Sequence, residues 1–474
     1  TNIINKCSVT TTIGAGAGET VKVCAATVTL GRCGGTVSLA SGATQSGFGR
    51  TGTVDWDTSI HTGTVTAATG KGYFVNSTAG EITVNLPAAA VGSIVGISDY
   101  ASTANTNNII VSPNGSDKIN GENEDYKIST NGLAVTLVYA DATRGWKSVT
   151  GSDADATGVG AEFVVATGGT PCAGAIVCTN YKVHTFTGPG TFCVSAAGNA
   201  CGSNTIDYLV VAGGGGGGHA PGGDGGGAGG AGGLRASPGT ASGCYTASPR
   251  GAAPAVALPV TATGYPVAIG AGGAAGSSGV GGNGGDSVLT GSSTITATGG
   301  GGGGENPYPG QDGGSGGGAG GGGGRPYTGG NGNTPPTNPV QGMDGGANPP
   351  SISPDQRAGG GGGAITVGSV GSAPTAGPGG DGAGTAINPS PSYGTPGPSA
   401  PLRYFAGGGG GSAGANTPGG TGGDGGGGLG GHTAPNFVQA VAGTVNTGGG
   451  GGGAASGCGV TGGSGIVIIR YKFQ

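Results

Sequence analysis

Histidine, cysteine and paired carboxylates are the usual raw material of catalytic and metal sites, and in this chain they are few and scattered. The four histidines, His61, His184, His219 and His432, lie far apart with no metal-ligand spacing, so each is expected at the surface or in a turn. The nine cysteines are Cys7, Cys24, Cys33, Cys172, Cys178, Cys193, Cys201, Cys244 and Cys458. None forms a C-x-x-C pair. The spacings Cys172 to Cys178 and Cys193 to Cys201 suit small disulfide loops, and small buried hydrophobes suit them equally. Glu122, Glu124 and Asp125 cluster in a loop that reads as a solvated turn. Gly-x-Gly-x-x-Gly recurs, but at this glycine density it arises by chance and no helix follows it. Gly70-Lys71-Gly72 lacks both the spacing and the hydroxyl of a phosphate loop. The stretch from Gly281 to Leu289 fits a calcium-roll nonapeptide, but a single copy cannot share calcium between turns. It is expected to be a turn before a strand. No nucleophile motif occurs in a strand-to-helix setting. The sequence therefore predicts no catalytic residue, no metal, no cofactor and no enzyme.

Composition sets the wider bounds. The 474 residues contain 124 Gly and 28 Pro, and only 8% are charged. Without a strict Gly-x-y period, such a composition is ordinarily that of a low-complexity chain. Lys and Arg number 17 against 22 Asp and Glu, and a net charge of −5 is too small for disorder by self-repulsion. A nucleic-acid partner would need a dense basic face, and lysine is absent between Lys182 and Lys472. No apolar run approaches the roughly 20 residues of a spanning helix, so membrane insertion is not expected. The opening Thr-Asn-Ile-Ile-Asn-Lys has no apolar stretch of signal-peptide length.

The elements that would position any site are strands. Tyr73 to Asn76, Ile82 to Leu86, Ser93 to Ile97, Asn108 to Val111 and Val135 to Ala140 alternate or are β-branched, and turn residues punctuate them. No stretch has a 3.6-residue apolar period. The expected class is all-β, in four parts: an N-terminal β segment (1–50), a β module (51–153), a β base (160–211, completed by 466–474) and a glycine-rich region (212–465). Of the 124 glycines, 94 lie in the last part. The strand Tyr208-Leu209-Val210-Val211 runs into it and Ile466 to Phe473 leaves it. Pairing these two strands would make the region a closed excursion.

Eight glycine runs stand out: 213–218, 225–233, 299–304, 313–324, 359–363, 407–411, 422–431 and 448–453. Polyglycine loses more entropy on ordering than any other sequence, so a flexible linker is the simplest alternative. Linkers, however, are usually diluted with serine or charge, and strand-like segments such as Tyr265 to Ile269 and Thr294 to Thr298 would serve no purpose in one. A bundle of three-residue-per-turn extended helices explains the runs, because only glycine fits where such helices crowd. A helix surrounded on all sides needs glycine everywhere, which abolishes the one-in-three period.

Tyr-Leu-Val-Val-Ala followed by Gly213 to Gly218, repeated glycine runs and the closing Gly-Ser-Gly-Ile-Val-Ile-Ile-Arg-Tyr resemble the glycine-rich domain of phage tail fibres and adhesins. Val54-Asp55-Trp56, Gly72 to Asn76, Thr83 to Pro87, Asp99-Tyr100 and Leu137 to Trp146 resemble a repeat module of marine phage tail fibres. The resemblance covers most of the chain from about Ser41. It implies a polyglycine II bundle, an extracellular place in the virion tail fibre, tail or baseplate partners, a homotrimer, and loops that bind a host-surface glycan or protein. A structural glycine-rich protein of a bacterial surface or filament is the alternative, and a fibre-borne depolymerase a third. If each run crosses the bundle once, the far-end loops are His219 to Asp224, Glu305 to Asp312, Ala364 to Ala406 and His432 to Thr447. They would gather Tyr308, Tyr393, Arg403, Tyr404, Phe405 and Phe437 at a receptor surface. Capping of the bundle is an alternative role for Tyr404 and Phe405. Both tryptophans, Trp56 and Trp146, are expected at least partly buried.

Overall fold

The computed structural model describes residues 54–474 except 151–160, 200–201, 244, 323, 349–355, 373, 415–416 and 434–435. Among these residues every regular element is a strand, apart from single 3₁₀ turns at Pro221–Gly223 and Pro249–Gly251. The class is all-β. The segment expected over 1–50, the stretch Gly151 to Gly158, and Cys7, Cys24, Cys33, Cys201 and Cys244 lie outside the described residues.

In the first module period-two alternation sets the faces, as in Ile82–Asn85, where Ile82 and Val84 are buried and Thr83 and Asn85 less so. Lys71–Val75 pairs in parallel with Ile94–Asp99 in one sheet, and Ile82–Asn85 with Ile109–Ser112 in the other. The chain thus winds from sheet to sheet around Val75, Val84, Ile97, Ile109 and Leu137. Asp99 is buried, and its Oδ2 accepts the amides of Ala104 (3.1 Å) and Gly132 (2.9 Å), which satisfies the carboxylate while tying two turns together. Trp146 is fully buried, and Trp56, 36% exposed, stacks on Phe74 at 4.8 Å.

The base is built on two central strands. Thr205–Val211 and Ile466–Lys472 pair antiparallel with Val211 opposite Ile466, so the glycine-rich excursion starts and ends at one place. Tyr208, Val210, Val467 and Ile469 face a core completed by Phe192, Tyr265 and Leu289 of a second sheet. Leu209, Val211, Ile466 and Ile468 face the opposite way, onto Leu234, Ala364, Ala383, Phe405 and Ala406. Burial on both faces explains why these strands read as unbroken apolar runs. His184 is buried here, with Nδ1 2.6 Å from the Gly168 carbonyl and Nε2 3.1 Å from the Tyr471 hydroxyl. The surface or turn position expected for it is wrong, because its aromatic body fits between Tyr471 and Phe192. Cys172, Cys178, Cys193 and Cys458 are exposed free thiols, not small buried hydrophobes.

Gly213 to Gly218 is extended and bonds only to other segments, whereas 422–431 turns back at 424–426, where the Gly427 amide donates to Gly423 (3.2 Å). The amides of Gly213 and Gly216 donate to Gly285 and Gly282, those of Gly214 and Gly217 to Gly463 and Val460, and those of Gly215 and Gly218 to Gly230 and Gly227, at 2.8–3.0 Å. The six carbonyls accept from Gly300, Gly273, Gly451, Gly303, Gly276 and Ala454. Partners change at every residue and repeat at every third. The segment is ringed by three antiparallel and three parallel neighbours, and all its backbone polar groups are satisfied. A Cβ on any of the six glycines would lie 1.9–2.1 Å from a neighbouring carbonyl oxygen. Glycine is obligatory there.

The uninterrupted runs form the interior, and further crossings surround them. Gly359 to Gly363 and Gly407 to Gly411 are buried throughout. Residues 270–276 instead bury Gly270, Gly273 and Gly276 and leave Ala271 and Ala274 exposed, while Val367 and Val370 are exposed beside buried Gly368 and Gly371. An outer crossing has neighbours on one side only, so it needs glycine at one position in three. The segment from Gly281 is another such crossing, returning beside Gly213 to Gly216 before it enters the strand Ser287–Leu289.

Candidate functional site

The end of the glycine-rich region away from the β base gathers several turns. Gly227 bonds Gly304 (2.8 Å), and Ala454 bonds Gly218 (3.2 Å), which places the turns after Gly218, Gly304 and Ala454 side by side. His219 donates its amide to Gly279 (3.1 Å) and Ala220 to Gly457 (3.0 Å), so two more turns are tied in. Side chains lock the group together. His219 Nδ1 lies 3.1 Å from Glu305 Oε1, with both side chains mostly buried, and Asn306 Nδ2 donates to Asp224 Oδ2 at 2.7 Å. A closed hydrogen-bonded platform results, and on it Tyr308 is 56% exposed. Phe437, 63% exposed, sits in a neighbouring turn bracketed by reciprocal His432–Val438 amide bonds of 3.0 and 2.8 Å. Gly431 ties that turn to Gly453 (3.0 Å).

Tyr393, Arg403, Tyr404 and Phe405 are not at this end. Phe405 is 1% exposed and packs with Leu209, Val211, Ile466 and Ile468 of the base. Tyr404 is buried and Tyr393 packs against the same cluster. Arg403 is spent on the chain itself, donating to the carbonyls of Tyr393 (2.9 Å), Pro391 (3.0 Å) and Gly394 (2.5 Å). The placement of these four at the far end is corrected. Counting uninterrupted runs omitted the outer crossings, so the direction of the later runs came out reversed. Gly359 to Gly363 returns to the base, where Ala364 bonds Ala406 (2.9 Å). The connection 364–406 then goes out past Gly371, back through Gly377 and Gly380, and ends at the base. Gly407 to Gly411 runs outward, and Ser412 reaches Gly226 (3.2 Å). Of the expected far-end loops, His219 to Asp224 lies there whole. Glu305 to Asp312 and His432 to Thr447 begin there and return.

The His219–Glu305 and Asn306–Asp224 pairs were not foreseen. Their signal was the Gly270, Gly273, Gly276 period, which marks the crossing that brings Gly279 beside His219. Among the described residues, no group of three or more His, Cys, Asp or Glu is placed to hold a metal ion, and no helix is long and apolar enough to cross a membrane.

A family model described as a glycine-rich domain matches residues 187–472. The chain belongs to the glycine-rich domain family. The match ends on Lys472, the last residue of the closing strand. The glycine-rich domain therefore includes most of the β base as well as the runs it holds. No curated protein matches the chain.

Proposed function

We propose that the glycine runs form a polyglycine II bundle and that the protein is a phage tail fibre that attaches to a host-surface glycan or protein through the far-end turns. Support for the bundle comes from the three-residue repeat of hydrogen-bond partners along Gly213 to Gly218, which a three-residue-per-turn helix requires. The observation that carries the attachment reading is the contrast between the two ends. The base end buries or half-buries its aromatic residues, whereas the far end holds Tyr308 and Phe437 exposed on turns fixed at both sides. Aromatic faces stack on sugars or apolar protein patches, and rigid turns lose little entropy on binding. In a homotrimeric fibre on a tail or baseplate, weak contacts would add through effective concentration.

The test is immunogold labelling of particles that carry this chain, together with competition by the purified chain for adsorption to their host cells. Labelling of tails, and competition that disappears in the Tyr308→Ala, Phe437→Ala double variant while melting is unchanged, is the expected result. Label on the bacterial surface and none on particles would instead assign the protein to a surface filament.

A further inference from the structure

A second site stands at the base end of the bundle. A cleft of about 540 Å³ opens there, in the size range of small-molecule sites, roughly 300–1,000 Å³. Val340, Met343 and Ile365 supply apolar wall, and Arg250 and Asp344 are its charged lining. The cleft is held in shape. Asn333 Oδ1 accepts the amides of Thr337 and Gln341, both at 3.1 Å, which fixes the connection carrying Val340. Arg250 Nε donates to the Ala364 carbonyl at 2.7 Å, which orients the guanidinium plane. Its Nη atoms bond no group of the described residues, and no carboxylate among them pairs with it. Asp344 Oδ1 accepts the Gly332 amide at 2.7 Å, which leaves its second oxygen as an acceptor.

The geometry points to this cleft as a binding site for a carboxylated mono- or disaccharide, its carboxylate on the Arg250 guanidinium, its hydroxyls donating to Asp344, and its ring face against Met343 and Ile365. A guanidinium fixed through Nε presents its remaining donors as a planar fork that fits a carboxylate. Burial lowers the pKa of Arg250, and a bound anion relieves that penalty. Inorganic phosphate alone would leave the apolar wall and the acceptor of Asp344 uncovered. A hydrocarbon would leave the guanidinium without a partner, and a polyanion would meet Asp344. A singly charged, hydroxyl-rich ring satisfies all three surfaces. The proposal goes beyond far-end attachment and does not require it.

The experiment is saturation-transfer NMR and calorimetry on the full chain with glucuronate, glucose and inorganic phosphate. Glucuronate should bind, with glucose weaker by roughly tenfold or more, since the charge-assisted bonds are lost. Phosphate should not displace it. Arg250→Gln should weaken glucuronate by a similar factor. Val340→Trp fills the cleft but keeps the Arg250–Ala364 bond, and it should abolish binding even if Arg250→Gln proves less stable. Tyr308→Ala, Phe437→Ala should bind glucuronate as the parent does. Equal affinity for glucose, displacement by phosphate, absence of glucuronate binding, unchanged binding in Val340→Trp, or loss in the far-end variant would each overturn the assignment.

Discussion

Gly217→Ala is the sharpest test of the crowded interior. The new Cβ would stand 1.9 Å from the Gly452 carbonyl oxygen and 2.7 Å from its carbon. Relief to ordinary contact requires the segment around Gly452 to move by about 1.3 Å. That segment is held by the amide bonds of Gly451 to Gly215, Gly452 to Val441 and Gly453 to Gly410, all 3.0 Å. A shift of this size carries such bonds beyond roughly 3.2 Å, and each is worth about 1 kcal/mol. Two or three lost bonds give a destabilisation of about 2–3 kcal/mol, which at roughly 2.1 cal/mol/K per residue corresponds to a melting shift of about 3–5 °C in a domain spanning residues 187–472. The control is Gly279→Ala in a far-end turn, where the nearest atom is Glu305 Oε2 at 3.5 Å, an ordinary van der Waals contact. It should be neutral or raise stability by a few tenths of a kcal/mol, because alanine narrows the unfolded ensemble. The assay is thermal unfolding followed by far-UV circular dichroism with both variants at equal concentration. Gly217→Ala melting within a degree of the parent, or both variants falling alike, would refute the close-packed arrangement.

Amide exchange of Gly299 to Gly304 should be slow, since each amide is bonded between segments or to a side chain, and random-coil rates measured by mass spectrometry would contradict this. Phe405→Ala should cost about 3–5 kcal/mol in denaturant unfolding and leave competition for host-cell adsorption unchanged, as expected for a core residue and not a receptor contact. Burial holds the His184 pKa below its ordinary 6.5, with the Gly168 carbonyl opposing and Lys182 adding a smaller downward push. The unfolded chain therefore binds the proton first, and stability should fall as pH drops below about 6.5 and level off below the folded-state pKa. His184→Gln should remove that slope in urea titrations between pH 7 and 5. In the intact chain, Trp146 should emit as a buried indole and resist acrylamide, while Trp56 should be quenched more readily; equal quenching in the two single-Trp variants would contradict the burial.

Much of this was legible because burial on two faces leaves a plain trace. Tyr208 to Val211 and Ile466 to Ile469 are apolar at every position for that reason, and their pairing follows from the need to cover both. The uninterrupted runs read as interior segments because crowding on all sides removes every Cβ. The outer layer was hidden by its own tolerance. Asn283, Pro378 and Val441 occupy positions with solvent on one side, and such crossings look like loops unless the spacing of Gly459, Gly462 and Gly465 is taken as a signal. Tyr404 and Phe405 were misplaced for the same cause, since the unseen crossings before Gly359 reverse its direction and bring Ala364, with the whole out-and-back connection to Ala406, to the base. His184 gave no local sign of burial: its partners Gly168 and Tyr471 come from distant strands.

The pairing of Val211 with Ile466 has a genetic consequence. The closing strand must come back to the edge from which the chain departed, so crossings can be gained or lost only as out-and-back pairs. A deletion removing one crossing would strand Ile466 at the wrong end and leave Leu209 and Val211 uncovered. Glycine codons all begin with GG, so the interior runs are encoded by near-repetitive tracts where replication slips and homologous segments recombine. Exchanges that join one inward run to another inward run keep the topology and replace a whole far-end turn. The same close packing that forbids a single methyl among the interior runs thus makes the far-end turns interchangeable units.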